Sequence, residues 1–157
     1  MDRKAFYTAL AQGNLPAVLL FEGEEEQMKQ TALTELRRVL LPPGMEALNE
    51  TILENPAVDQ LIAAAETTPL MADRRLLIVR DLQALSGRGE ADERLIAWLP
   101  SVPSSTLLLF LCAGKPDGRK KRYTTIKNLG VIVPFTAFGS CCGSLFISSA
   151  DKPSRYP

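Results

Sequence analysis

Histidine is absent from this chain of 157 residues, and its absence removes several kinds of chemistry. Without an imidazole there is no Ser-His-Asp or Cys-His arrangement, no histidine metal ligand and no base that titrates near neutral pH. Cysteine is scarce: Cys112 lies in an apolar run, and Cys141 and Cys142 are adjacent. This pattern forms neither a disulfide framework nor a C-x-x-C pair, so we expect reduced thiols and no metal site.

Neither sign of charge is in excess, since 18 Lys and Arg residues balance 18 Asp and Glu residues. The balance gives no support for a generally basic nucleic-acid binder or a polybasic membrane protein. Long hydrophobic runs are also missing: residues 107–111 fall far short of the roughly 20 that span a bilayer. The polar residues 1–4 are not followed by the apolar core of a signal peptide. We therefore expect a cytoplasmic protein with no membrane partner.

What the chain does contain is an alternation of strand-like and helical segments. Apolar runs of strand length occur at residues 17–21, 76–79, 106–112 and 131–133. Helical patterns occur at residues 3–12, 24–40, 57–67, 91–99 and 119–128. Four strands that alternate with helices predict an α/β fold, in which a parallel sheet is covered on both faces.

Two of these helices carry an apolar stripe that identifies their buried face. In the helix at 24–40, the stripe comprises Met28, Ala32, Leu36, Val39 and Leu40. In the helix at 57–67, it comprises Val58, Leu61, Ile62 and Ala65. We expect both stripes to pack against the sheet.

The composition changes sharply from Thr136 onward, where small residues, adjacent cysteines and prolines replace the helix and strand patterns. Such a segment is typical of a poorly ordered tail. Translation through the wrong reading frame would also produce such a break. The sequence therefore predicts one domain over residues 1–135, followed by an atypical tail over residues 136–157.

The connection around Gly23 occupies the place of a P-loop in a nucleotide-binding α/β fold. It lacks the pattern G-x-x-x-x-G-K-[ST], and Glu24, Glu25 and Glu26 at the helix start would repel phosphates. An ATPase with a variant loop is one interpretation; an acidic helix N-terminus is the favoured one. Asp81, after the run at 76–79, is likewise favoured as a loop residue over a metal ligand.

A local basic cluster with one aromatic residue spans residues 115–123. Lysine and arginine side chains can bind DNA phosphates, and the candidate contacts are Arg119, Lys120, Lys121 and Arg122. The alternative is a solvated helix start. We favour the alternative, because the net charge of the chain is zero and positive charge is unfavourable at a helix N-terminus.

Pro69, Leu70 and Met71 form a short connection ahead of the run at 76–79. Two large hydrophobes directly after a proline stand where a soluble protein normally has polar turn residues. Both side chains could fold inward and join the preceding helix to the strand. They could equally form a plug, a compact and adaptable anchor for a cleft on another protein. The residues alone favour neither interpretation.

Four segments in a fixed order carry a resemblance to a known family: VLLFEGEE (18–25), LLPPG (40–44), TPLMADRRL (68–76) and KPDGRKK (115–121). Together they resemble the N-terminal domain of the delta subunit of bacterial DNA polymerase III, over about residues 1–135. The resemblance implies an AAA+-like (P-loop NTPase-like) α/β domain with a degenerate nucleotide site. It also implies that no cofactor is bound.

The function implied by this resemblance is that of a clamp-loader subunit in DNA replication, which binds and helps open the ring-shaped sliding clamp. The clamp-binding pair of the family maps onto Leu70 and Met71, with Pro69 and Arg74 in support. Met71 stands where an aromatic residue is more usual. No catalysis is expected from this subunit, because sibling subunits of the polymerase complex hydrolyse ATP. Its partners would be the sliding clamp, the other loader subunits and, weakly or indirectly, DNA.

Delta subunits continue into a second helical domain and a collar domain, and this sequence shows neither. We therefore expect a truncated or frame-disrupted member of the family. Two alternatives from other classes remain. One is an ATP-binding P-loop relative, in which Gly23 would matter for nucleotide binding. The other is a generic α/β interaction domain with Leu70 and Met71 buried.

Overall fold

The structure is a computed structural model that describes residues 2–82, 91–114 and 121–136, without the side chains of residues 91 and 92. Its elements are α1 (Arg3–Ala11), β1 (Val18–Glu22), α2 (Glu26–Leu40), α3 (Glu46–Asn49), β2 (Glu50–Glu54), α4 (Val58–Ala65), β3 (Arg75–Arg80), α5 (Ala91–Trp98), a 3-10 turn (Leu99–Ser101), β4 (Thr106–Leu111), α6 (Lys121–Leu129) and β5 (Val131–Pro134). The predicted tail beyond Thr136 lies outside the described residues. Within the described ranges, every helix is too short or too polar to cross a membrane.

Five parallel strands form one sheet in the order β2-β3-β4-β1-β5. Near its centre, Leu20 of β1 lies between Phe110 of β4 and Ile132 of β5. Strands β1 and β4 are buried along their whole length, and β3 is buried up to its last residue. Their continuous apolar sequences follow from this burial, because both faces of the sheet are covered. The predicted α/β fold is confirmed.

Alternate residues of each strand point to opposite faces of the sheet and enter two separate cores. On one face, Leu19 and Phe21 pack in a cluster with Phe6 of α1 and with α2. On the other face, Leu20 and Phe110 pack in a cluster with α4, α5 and α6. The sheet is therefore the middle layer of three.

The sequence prediction of four strands is wrong, because β2 and the short helix α3 before it were not predicted. Strand β2 pairs with β3 alone and forms one edge of the sheet. Its residues are half-buried or exposed, and Glu50 and Glu54 stand at its two ends. An edge strand of this kind lacks the continuous apolar run by which buried strands are found.

The predicted buried face of α2 also needs a correction. Met28 and Val39 are each 38% exposed, whereas the buried residues of this helix are Lys29, Ala32, Leu33 and Leu36. These four follow the spacing i, i+3, i+4, i+7 of a single helical face. The face was misplaced because its first member is a lysine. The predicted face of α4 is confirmed at three of its four residues, Val58, Leu61 and Ala65, while Ile62 is partly buried against the same core.

Because all strands are parallel, the connections gather at two opposite edges of the sheet. At the carboxyl edge, where the strands end, lie Gly23 after β1, Asp81 after β3 and Cys112 after β4. At the amino edge, where the strands begin, lies the connection from α4 to β3, which contains Leu70 and Met71. The Gly23 loop and the apolar pair are therefore at opposite edges of the sheet.

Candidate functional site

The connection between α4 and β3 presents two hydrophobic side chains to solvent. Leu70 is 52% exposed and Met71 is 76% exposed. The alternative in which both side chains fold inward is therefore wrong. Met71 also has a φ of +57°, a left-handed conformation that is uncommon for residues other than glycine. We refer to Leu70 and Met71 as the apolar tip.

Asn49, the last residue of α3, holds the first residue of the apolar tip. The Leu70 N–H donates to Asn49 Oδ1 at 2.6 Å, and Asn49 Nδ2 donates to the Leu70 carbonyl oxygen at 2.8 Å. Asn49 itself is completely buried. Sequence reasoning missed this residue, because it lies in the unpredicted α3 and its partner is 21 residues away. No periodicity or motif connects two positions of that kind.

Arg74 holds the other end of the same connection. Its Nη1 and Nη2 atoms donate to the carbonyl oxygens of Leu15 and Pro16, at 3.1 and 3.2 Å. Partial burial lowers the pKa of the Arg74 guanidinium. Pro69, the other residue predicted to support the tip, is half-buried. In this structure Arg74 is thus bound to its own chain, and it would support the tip by anchoring the loop.

At the carboxyl edge, the loop after β1 is hydrogen-bonded to the residues that follow β4 and β5. The Gly23 N–H donates to the Gly114 carbonyl oxygen at 3.0 Å, and the Glu25 N–H donates to the Phe135 carbonyl oxygen at 3.0 Å. A Cβ atom at Gly23 would lie 2.2 Å from that Phe135 oxygen. A P-loop needs free N–H groups at this point to bind phosphate, and these two are already committed.

Lys29 is a second feature that the sequence analysis missed at this edge. It follows Gly23 at the spacing of the lysine in G-x-x-x-x-G-K-[ST], while Met28 and Gln30 replace the second glycine and the hydroxyl residue. Only 1% of Lys29 is exposed. Its ammonium group pairs with Glu26 Oε2 at 2.7 Å and donates to the Cys112 carbonyl oxygen. The spacing from Gly23 to Lys29 was the sequence signal that could have identified this lysine. In this structure its ammonium group contacts Glu26 and Cys112 of its own chain.

The acidic helix start agrees with the favoured interpretation of this loop. Helix α2 begins at Glu26, directly after Glu24 and Glu25, and the side chains of Glu24 and Glu26 are exposed. Carboxylates at this end complement the helix dipole and repel phosphate. Asp81 is also exposed and has a φ of +52°, which is tolerated by aspartate in turns. The geometry of both residues fits loop positions.

Burial at the carboxyl edge raises the pKa of the Cys112 thiol from its ordinary value of 9.0 to about 11, with Glu22 and Asp81 adding to the rise and Lys29 opposing it. Between pH 9 and pH 11 the unfolded chain releases this proton while the folded chain keeps it. We expect the free energy of unfolding to fall in that window by up to about 1.4 kcal/mol per pH unit. Well below pH 9 the thiol is protonated in both the folded and the unfolded chain, so it does not make the free energy of unfolding depend on pH.

Urea denaturation at several pH values would measure this effect, with Cys112→Ala as the comparison. The variant should show a flatter profile between pH 9 and pH 11, because the titrating thiol is gone. Parallel profiles for the two proteins would contradict the expected coupling.

The structure describes only part of the predicted basic cluster, and only part of what it describes is exposed. Arg119 and Lys120 lie outside the described residues, while Lys121 is exposed at the start of α6. Arg122 is only 5% exposed, so the candidate contact of this residue with DNA phosphates is wrong. Its place in the helix turns it inward, toward the face that also buries Ile126. Lys121 is the one member of the cluster whose exposure is established.

A family model described as DNA polymerase III, delta subunit, matches residues 19–136. The chain belongs to the DNA polymerase III delta subunit family. The matched range includes the apolar tip, Asn49 and the Gly23 loop. Membership agrees with the resemblance carried by the four ordered segments of the sequence.

Two relatives from the delta family show how much of a delta subunit this chain matches. DNA polymerase III subunit delta of Bacillus subtilis is 29% identical over 131 residues, which cover 78% of this chain and 38% of that protein. The solved structure of the Bacillus subtilis DNA clamp loader delta protein matches with a TM-score of 0.76 at 24% identity, over 85% of this chain and 42% of that one. The chain thus spans about two fifths of these delta relatives.

A second solved structure supports the fold of this delta-family chain. A DNA polymerase III gamma subunit-related protein of Thermotoga maritima matches with a TM-score of 0.57 at 15% identity, over 84% of this chain and 45% of that one. At this level of identity the likeness concerns the fold alone. Both solved structures confirm the predicted α/β architecture, with a parallel sheet flanked by helices.

Proposed function

We propose that this delta-family chain binds the bacterial sliding clamp through the apolar tip. The observation that carries the proposal is the exposure of Leu70 and Met71 on a connection that Asn49 and Arg74 hold at both ends. Large apolar side chains displayed on a held backbone are typical anchors for an apolar cleft on a partner. The membership of the chain in the family supports the clamp as that partner.

The chain would act by binding the clamp, without any covalent chemistry. A ring with a sprung interface is favoured only if the tip and its surroundings bind the open ring more tightly than the closed one. We propose that this differential affinity contributes to clamp opening during loading of the ring onto DNA. Other subunits of the loader would hydrolyse ATP, and the complex would work in the bacterial cytoplasm. Contact with DNA would be weak or indirect.

The geometry of the Gly23 loop supports a role without nucleotide. Two of its N–H groups donate to carbonyl oxygens of Gly114 and Phe135, and the Lys29 ammonium is paired with Glu26. A bound phosphate would have to replace all of these contacts and approach three glutamates. The alternative of an ATP-binding P-loop relative is therefore not favoured. The domain boundaries at about 1–135 remain part of the same proposal.

Titration of the purified chain with a purified bacterial sliding clamp tests the proposal directly. We expect saturable binding in the absence of nucleotide. The fluorescence anisotropy of a labelled chain would measure it. Addition of ATP and Mg²⁺ should leave the titration unchanged, because the N–H groups of Gly23 and Glu25 already donate to carbonyl oxygens of the chain. Absence of saturable binding, or binding that requires ATP, would overturn the proposal.

A further inference from the structure

We propose that Asn49 is a positioning residue for the apolar tip, which it holds in the conformation that binds the clamp. The inference rests on the proposed function and adds a residue that does not itself touch the clamp. Asn49 is completely buried, so its effect on a partner must pass through Leu70. The inference is based on one observation: the side-chain amide of Asn49 forms hydrogen bonds with both the N–H and the carbonyl oxygen of Leu70.

The chemistry of this contact requires an amide. Asn49 Oδ1 accepts from the Leu70 N–H at 2.6 Å, and Nδ2 donates to the Leu70 carbonyl oxygen at 2.8 Å and to the Met45 carbonyl oxygen at 3.2 Å. The side chain thus uses an acceptor and two donors on one planar group. Aliphatic residues provide neither kind of atom, and a carboxylate provides only acceptors.

The backbone beside this contact is strained in a way that needs a constraint. Met71 has a φ of +57°, which costs a residue with a Cβ atom roughly 1–2 kcal/mol. Such a conformation persists when surrounding contacts over-determine it. The two hydrogen bonds between Asn49 and Leu70 on one side, and those that Arg74 donates on the other, supply the contacts. Without Asn49, the tip would sample several conformations.

Asn49 is itself part of a rigid frame. It ends α3, and the next residue, Glu50, begins β2 and pairs with Arg37 of α2 at 2.6 Å. Thr51 accepts a hydrogen bond from Arg75 at the start of β3. The amide is therefore fixed to a helix and to the sheet edge. A tip held in this way loses less conformational entropy on binding, which increases its affinity.

The test compares Asn49→Ala and Asn49→Asp with the matched control Asn14→Ala. Asn14 is exposed and lies in the turn after α1, so its substitution should leave clamp affinity within about twofold. Both Asn49 variants should weaken clamp binding by roughly tenfold, measured at equal concentrations of folded protein. The same change from Asn to Ala should therefore weaken clamp binding at Asn49, which contacts the tip, and leave it nearly unchanged at Asn14.

A double-mutant cycle separates positioning from a general loss of structure. In a chain that already carries Leu70→Ala and Met71→Ala, Asn49→Ala should cause no further loss of affinity, because there are no side chains left to position. A purely structural Asn49 would lower the folded fraction, so that titrations at equal total protein would lose apparent affinity by the same factor in both backgrounds. Equal effects in the two backgrounds would therefore overturn the inference.

Asn49→Asp adds a rescue that depends on pH. Its ionised carboxylate faces the carbonyl oxygens of Leu70 and Met45 and repels them, whereas the protonated acid has an O–H that can donate to Leu70. Lowering the pH from about 8 to about 5 should therefore restore affinity relative to wild type. Wild type carries the same neighbouring charges, Glu50 and Arg37, and serves as the control. A constant ratio across this range would contradict the inference.

Failure of the inference and failure of the proposed function give different results. If the tip substitutions weaken clamp binding and the Asn49 variants do not, the inference is wrong and the proposed function stands. If wild type does not bind the clamp, amide hydrogen exchange decides the positioning role alone. Asn49→Ala should then accelerate exchange at the Leu70 amide and leave Leu109 in β4 protected. Unchanged exchange at Leu70 would overturn the inference in that case too.

Discussion

Replacing Leu70 and Met71 together by alanine is expected to weaken binding to the sliding clamp by about a hundredfold. The two side chains are 52% and 76% exposed in the free chain and would be buried on binding. Full burial of one such side chain contributes about 1.5–3 kcal/mol, so burial of the fractions that are still exposed contributes about 2–4 kcal/mol for the pair. The middle of that range corresponds to about a hundredfold in Kd. Anisotropy titration with the purified clamp would measure it.

The chain offers a matched control for this experiment. Met28 and Leu129 are 38% and 39% exposed, and they lie on α2 and α6, outside the connection that carries the apolar tip. The variant Met28→Ala/Leu129→Ala makes the same two chemical changes and should keep wild-type affinity. Both double variants should stay folded, because truncation of exposed side chains usually changes stability by within about 0.5 kcal/mol. A folded tip variant that binds the clamp undiminished would show that the tip is not the binding site.

Gly23→Ala is expected to lower the free energy of unfolding by about 3 kcal/mol or more. The φ of Gly23 is +108°, and a Cβ atom there would lie 2.2 Å from the Phe135 carbonyl oxygen. Relief of this clash requires the backbone of Phe135 to move, which breaks its hydrogen bonds with Glu22 and Glu25. Each lost bond costs about 1 kcal/mol, and the unfavourable φ adds a similar amount. Urea denaturation followed by the fluorescence of Trp98 would measure the change.

Gly13→Ala is the matched control for the effect of backbone conformation alone. Gly13 has a φ of +69°, and a Cβ atom there would meet nothing within 4 Å. Its substitution should therefore cost only the left-handed conformation, about 1 kcal/mol. Equal destabilisation by the two substitutions would mean that the Gly23 loop is not closed by Phe135. In that case the argument against a phosphate site at this edge would also fail.

Much of the fold follows from local patterns. Buried strands such as β1 and β4 were predicted because both faces are covered, which selects a continuous apolar run. Strand β2 was missed, since an edge strand with one neighbour tolerates glutamate at both ends. The buried face of α2 was misplaced at Lys29, because burial of a lysine depends on a carboxylate and a carbonyl oxygen that folding brings near.

The candidate site divides in the same way. Leu70 and Met71 were identified from sequence, because large hydrophobes after a proline are unusual in a loop. Their exposure was not decided by sequence, since the same residues could have packed inward. Arg122 shows the converse: it belongs to a basic cluster by sequence, yet its position on α6 buries it. Charge and hydropathy identify a side chain's chemistry, while burial depends on its neighbours in space.

The sequence by itself determined the alternation of strands and helices, the family resemblance and the apolar pair, because each of these depends on residues that are close along the chain. The tertiary structure decided the rest. It closes the Gly23 loop with the backbone of Phe135, and it places the Asn49 amide against Leu70. Both contacts join segments that are distant in sequence and meet only when the sheet forms. In each contact one partner is a backbone group, which every residue carries, so no residue pattern records the pairing.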